Sequence, residues 1–324
     1  MSDGSDGSAA VGPLYAIGGA EDKLGRRTVL RHFVEAAGGT GARIAVVPTA
    51  SSLGHEAVDV YAAVFRRLGA SDVFGVRPES RKEADSSDMV VRLDDATAIF
   101  MTGGNQLKLS SVVNGTAFGE AIRSAHRRGV VVGGTSAGAS FQSSHMVAFG
   151  TGGATPKQRM TQVAAGLGLL DGCVIDQHFA QRNRYGRLLM IVAQSPNLLG
   201  VGVDEDTAAV VTSERYLEVV GRGAVTVVDG QHMTTNAYEA KRTTPLLLSD
   251  VRLHVLPAGA KFDLMKRALI AASPEIDSKE AAELRVAGAD LARLARDIAA
   301  EGVSPTKLRR RGARTTIERE DGTA

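Results

Sequence analysis

From Pro13 onward the chain alternates short, near-continuous apolar runs with longer amphipathic stretches, and glycine or proline punctuates the joins. Leu14–Ile17 stops at Gly18-Gly19, Arg43–Val47 at Pro48, and Ala98–Met101 just before Gly103-Gly104; residues 73–76 and 129–133 read as two further strands. Residues 28–37, 55–68 and 118–128 carry helical spacing, the first closed by Gly38-Gly39. A strand apolar on both sides must be covered on both sides, and strands joined by helices run parallel. The pattern therefore predicts an α/β fold with a mostly parallel sheet flanked by helices on both faces.

The second half is richer in β-structure. Leu199–Val203 and residues 208–212, 216–220, 225–229 and 253–256 read as short strands with tight Gly or Asp turns, which either extend the sheet or form an antiparallel flap. After Phe262 the character changes again. Residues 279–300 are rich in Ala, Leu and Arg, with Leu284, Leu291, Leu294 and Ile298 at helical spacing between Pro274 and Gly302. This predicts an extra C-terminal helix, followed by a basic stretch over 307–314 and a polar end. The expected organisation is a flexible tail over 1–11, a catalytic domain over 12–265 and a C-terminal extension over 266–324. No internal repeat of fixed period is present.

Composition excludes several function classes. Aromatic residues make up only 4% and there is no Trp, which argues against a nucleic-acid reader that stacks bases on aromatic rings. A net charge of +2 makes no case for polyanion binding over the whole surface. Cys173 is the only cysteine, so neither an internal disulfide nor a cysteine-based zinc site is expected. Residues 1–10 have no basic segment followed by an apolar one, and no apolar run nears the roughly 18 residues of a membrane span. The expectation is a cytoplasmic protein with no membrane and no nucleic-acid partner.

One string carries chemistry. Gly134-Thr135-Ser136-Ala137-Gly138 fits G-x-S-x-G, follows the apolar Val130-Val131-Val132, and precedes a helix-compatible segment over 139–144. Strand, sharp turn and helix form the geometry of a nucleophile elbow, in which small residues flank an exposed hydroxyl and a helix N-terminus presents N–H groups beside it. Ser136 is the candidate nucleophile.

A serine needs a base. Among seven histidines, His32 and His126 lie in charged helix-like stretches expected at the surface, and His145 falls on the segment after Ser136, expected to point away. His55 follows the loop over 49–54, His232 follows a Gly-Gln turn, and His254 lies in a late strand. His178 stands just beyond the apolar Cys173-Val174-Ile175, at the end of a strand, where α/β active sites gather. It is the candidate base. Its orienting acid is either Asp176 or Glu205, the latter in the acidic turn 204–206 after another apolar run. A Ser, His, Glu order departs from that of α/β-hydrolases and matches the Cys, His, Glu order of the glutamine-amidotransferase fold.

Four blocks resemble the cyanophycinase family, which belongs with dipeptidase E among serine peptidases. They are Ile17-Gly18-Gly19-Ala20-Glu21-Asp22-Lys23, Thr102-Gly103-Gly104-Asn105-Gln106, the elbow through Ala139, and Asp176-Gln177-His178-Phe179 with Arg182, Arg184 and Arg187 behind it. The last block is the most specific, and the resemblance spans about 12–265. It implies Ser136 as nucleophile, His178 as base, Glu205 as acid, and an oxyanion hole from backbone N–H groups near Gly104 and Ala137. It implies substrate contacts from Gln106, Asp176, Gln177, Arg182, Arg184 and Arg187, a homodimer, and neither metal nor cofactor. The implied substrate is cyanophycin, a polyaspartate with arginine amide-linked to each side chain, released as β-Asp-Arg dipeptides. Planar guanidinium groups suit the carboxylates that polymer exposes, and Arg184 and Arg187 would share a helix face. Two other readings stand beside it: a peptidase of the same fold acting on short aspartyl or isoaspartyl peptides, and a non-catalytic binding protein. An amidotransferase fits less well because the elbow carries Ser and not Cys.

Overall fold

A computed structural model describes residues 11–241 and 244–271. The expected C-terminal helix over 279–300 and nearly all of the N-terminal tail lie outside these residues.

The first strands are β1 (Leu14–Ile17), β2 (Arg43–Val47), β3 (Asp72–Gly75), β4 (Ala98–Met101) and β5 (Val131–Thr135). They pair in parallel in the order β1-β5-β4-β2-β3. Their side chains alternate between two cores, as the two-residue period of a strand requires. Tyr15 and Ile17 join one cluster with Phe33, Phe65 and Phe100, whereas Leu14 and Ala16 join another with Val132 and Phe141. Helices α1 (Thr28–Ala36) and α2 (His55–Arg67) cover the first face. The short α3 (Arg81–Ala84) and α4 (Ser87–Val91) precede α5 (Gln106–Val113) and α6 (Ala117–Arg127), and the last two cover the other face. Five aromatic rings, Tyr15, Phe33, Tyr61, Phe65 and Phe100, are concentrated under α1 and α2: Phe33 meets Phe100 at 5.3 Å and Phe65 meets Phe100 at 5.1 Å, both edge-on. Fully burying one such ring stabilises the fold by about 1.5–3 kcal/mol.

Past the elbow helix α7 (Ala137–Ser140), a hairpin forms from β6 (His145–Gly150) and β7 (Thr161–Ala165), then β8 (Cys173–Gln177) and α8 (Tyr185–Gln194). The strands β9 (Leu199–Val203), β10 (Thr207–Thr212), β11 (Tyr216–Gly221) and β12 (Ala224–Asp229) follow. A two-residue ribbon, β13 (Thr234–Thr235) with β14 (Leu248–Ser249), precedes β15 (Arg252–Pro257), β16 (Lys261–Asp263) and β17 (Ala268–Ala271). Both options for this half are realised. β10, β11, β16 and β17 extend the first sheet antiparallel beyond β1, giving nine strands. β8, β9, β12 and β15 form a separate four-stranded sheet, with α8 on its outer face. Ile175 and Val201 of this second sheet share a core cluster with Ala16 and Val132 of the first. The mixed α/β architecture with a large, centrally parallel sheet is the one expected.

Two histidines depart from expectation. His126 is buried, at 2% exposure, because it lies on the inner side of α6 and its carbonyl accepts from Gly12 N–H at 2.8 Å. His145 starts β6 and is exposed, since the elbow helix ends at Ser140 and not at 144.

Candidate active site

The C-terminal ends of β1, β4, β5, β8 and β9 converge. Gly18 knits the two sheets together: its N–H donates to Thr207 O at 2.9 Å and its carbonyl accepts from His178 N–H at 2.8 Å.

Ser136 follows β5 and precedes α7 with φ 52° and ψ −107°, a backbone that L-residues rarely adopt and that stores strain at the turn. The turn closes only because its neighbours are small. A Cβ on Gly138 would lie 2.3 Å from Met101 O. Ser136 N–H donates to Ile17 O at 2.9 Å, which ties the elbow to β1.

Ser136 Oγ lies 3.0 Å from His178 Nε2, and His178 Nδ1 lies 2.6 Å from Glu205 Oε1. With the imidazole neutral, Nδ1–H donates to Glu205 and Nε2 is free to accept from the serine hydroxyl. Asp176 is not the partner of the ring; Glu205 is. Burial lowers the pKa of His178, with Arg182 adding to the effect and the Glu205 hydrogen bond opposing it. The ring sits against Gly19, whose φ is 99° and whose Cβ, were there one, would lie 2.3 Å from His178 Cε1.

The Gly103-Gly104 segment faces the nucleophile, a Cβ at Gly103 lying only 3.3 Å from Ser136 Cβ. Asn105 caps α5 by accepting from Leu107 and Lys108 N–H, at 3.0 and 3.1 Å, and so fixes the segment. Among the described residues, neither Gly104 N–H nor Ala137 N–H donates to another group of the chain. Two unengaged donors beside a serine hydroxyl suit a developing oxyanion.

The remaining expected contacts sort into two kinds. Arg182 is exposed, whereas Asp176, Gln177, Arg184 and Arg187 are buried at 0%, 4%, 8% and 2% exposure. Arg187 Nε donates to Asp176 Oδ2 at 2.6 Å and its Nη2 to Oδ1; Arg184 Nη1 donates to Asp176 Oδ1 at 3.3 Å and to both oxygens of Gln177. An open arginine face for carboxylates is therefore not formed by Arg184 and Arg187. Arg184 ends the turn before α8, Arg187 projects from its first turn, and both converge on the buried Asp176, since a charge without water needs a partner. Desolvation lowers Arg184 to about 10. Gln106 Nε2 donates to Val147 and Ala148 carbonyls, at 3.2 and 2.7 Å, anchoring the hairpin over α5.

Sequence reasoning assigned no role to a second polar cluster beside Ser136. Glu21, 4% exposed, accepts from Thr135 Oγ1 at 2.6 Å, from Tyr61 hydroxyl at 2.5 Å and from Lys23 Nζ at 2.8 Å. The available signal was Glu21 and Lys23 in the loop immediately after β1.

Against known proteins, residues 14–219 match the model of peptidase family S51. The chain belongs to peptidase family S51. It is thus a serine-type peptidase, and it is similar to cyanophycinases along most of its length. The cyanophycinase of Geminocystis herdmanii is 41% identical over 252 residues, covering 77% of this chain and 93% of that one. The cyanophycinase of a Nostoc species is 40% identical over 267 residues, covering 82% and 90%. A solved peptidase from an acI-B1 Actinobacterium shares the fold, with a TM-score of 0.58 and 21% identity over 79% of this chain and 98% of that one. Among the described residues of this S51 peptidase, no helix is long and apolar enough to cross a membrane.

Proposed function

We propose that this S51 peptidase is a cyanophycinase, hydrolysing the aspartate backbone of multi-L-arginyl-poly-L-aspartate to β-Asp-Arg dipeptides. The observation that carries the substrate is the 41% identity to a cyanophycinase over 93% of that enzyme's length. The chemistry is supported by the hydrogen-bonded series Ser136, His178, Glu205, at 3.0 and 2.6 Å.

In this reading His178 Nε2 takes the Ser136 proton as Oγ attacks an aspartyl backbone carbonyl. Glu205 holds the ring in the tautomer that leaves Nε2 free and stabilises the imidazolium that forms. The N–H groups of Gly104 and Ala137 stabilise the oxyanion. His178 then returns the proton to the leaving amine, leaving an acyl-enzyme on Ser136. Water, deprotonated by the same imidazole, adds to the ester carbonyl, and Ser136 leaves with the proton. Arg182 is the arginine available to substrate carboxylates; Gln106 and the buried Asp176, Gln177, Arg184 and Arg187 hold the walls that position it and the base.

The test is incubation of the protein with insoluble cyanophycin and identification of soluble products by mass spectrometry, with Ser136→Ala in parallel. Clearing with release of β-Asp-Arg, lost in the variant, is the expected result. Cleavage of short aspartyl peptides without clearing would reassign the substrate to the short-peptide branch of the fold.

A further inference from the structure

The cleft beside Ser136 has a charged floor that the reaction above does not use. It measures about 270 Å³ and is lined by Ser136, Thr135, Glu21, Lys23, Tyr61 and Leu53 among others. The acid of the floor is fully engaged: Oε2 of Glu21 accepts from Thr135, and Oε1 accepts from Tyr61 and Lys23. Burial, then the charge of Glu21, pushes the Tyr61 phenol well above its ordinary range, so the hydroxyl stays a donor.

The cation differs from the acid in access. The Lys23 side chain is 29% exposed where that of Glu21 is 1% exposed. Its ammonium has three N–H donors. Two are directed to Glu21, at the carboxylate (2.8 Å) and at the carbonyl (3.4 Å). The Tyr61 ring lies 5.1 Å from the nitrogen and supports it by a cation–π contact. One N–H thus has no acceptor among the described residues, in a cleft whose lining also includes the apolar Leu53, Ala57 and Val60. A guanidinium or ammonium entering the cleft could not reach the Glu21 carboxylate; an anion can reach Lys23.

The geometry points to Lys23 as a specificity residue that binds a substrate carboxylate beside the scissile bond, with Glu21, Tyr61 and Thr135 as its positioning residues. This rests on Ser136 being the nucleophile. Cyanophycin offers two such carboxylates, the α-carboxylate of a pendant arginine and the C-terminal carboxylate of the aspartate backbone.

The test labels Ser136 with two aryl phosphonates that differ only in carrying a free carboxylate or its methyl ester. Lys23→Met is expected to slow labelling by the carboxylate probe about tenfold and leave the ester rate unchanged. Lys23→Arg is expected to restore most of that loss. Equal slowing with both probes, or with neither, overturns the assignment, and the ester arm reports whether the variant remains folded. Failure of the unaltered protein to react with either probe would instead overturn Ser136 as nucleophile, and Lys23 with it. The two carboxylates are separated with β-Asp-Arg dimers amidated either at arginine or at the chain terminus. Amidation of the bound group abolishes the sensitivity of KM to Lys23→Met; sensitivity surviving both amidations would also overturn the assignment.

Discussion

At the scale of single residues, what matters is how each partner of Ser136 is held in one protonation state and one orientation. Glu205 accepts a hydrogen bond from Nδ1–H of His178 at 2.6 Å, so Glu205→Gln should leave the ring with the wrong tautomer available. A loss of about 10³–10⁴-fold in kcat is expected from such a change, with the fold intact, and steady-state kinetics alongside circular dichroism would measure it. The pH profile follows from the lowered pKa of His178. In the proposed reaction the base works only when neutral, so the acid limb of kcat/KM should fall below the 6.5 of an ordinary histidine. Arg182 contributes to the lowering, so Arg182→Gln should move that limb to higher pH, and a pH titration of kcat/KM would detect the shift. The same depression affects stability in one direction. Between the folded value and 6.5 the unfolded chain binds the proton more tightly, so this contribution is present above 6.5 and is lost as pH falls through the folded value. The places of Ser136 and His178 were legible from local pattern: a small-residue turn between strand and helix, and a histidine at a strand end. The choice between Asp176 and Glu205 was not, because both acids follow apolar runs and only the meeting of β8 with β9 decides which one faces the ring.

Among elements, the turn from β8 into α8 carries a buried ionic cluster. Asp176 is 0% exposed and is bonded by both Arg184 and Arg187. Asp176→Ala would strand two buried guanidinium groups, and breaking a buried pair typically costs about 3–5 kcal/mol. The expected outcome is a clear drop in thermal midpoint, together with loss of activity as the His178 turn relaxes; differential scanning calorimetry and peptide hydrolysis on the same sample would report both. The arginines read as a substrate-facing set from sequence because i, i+3 spacing gives a shared face without saying which way it points. Strand positions were legible to within a residue or two, since fully apolar runs ending in Gly or Pro leave little alternative. The hairpin of β6 and β7 was not, because residues 145–165 have a weak two-residue alternation and are organised by tertiary bonds such as those from Gln106 to the Val147 and Ala148 carbonyls.

For the whole molecule, the site exists because two sheets share a core. Phe141, 0% exposed, follows α7 and belongs to the cluster that contains Ala16 and Val132 of one sheet and Ile175 and Val201 of the other. Phe141→Ala should cost about 3–5 kcal/mol by transfer and cavity terms. Chemical denaturation should show the loss, and activity should fall at temperatures where the protein is still folded, because Phe141 directly follows the short helix that Ser136 leads into. What the sequence determined by itself is whatever depends on neighbours along the chain: the parallel strands, the sharp turn at Ser136, and a histidine placed just beyond an apolar run. The tertiary structure alone decided what depends on residues far apart in sequence. Thr135 meets Glu21, His178 meets Glu205, and Arg184 and Arg187 turn inward to Asp176. The reason is physical: backbone preference and hydrophobic period act over a few residues, whereas charges and hydrogen-bonding groups removed from water find their partners only once the sheets have brought distant strand ends together.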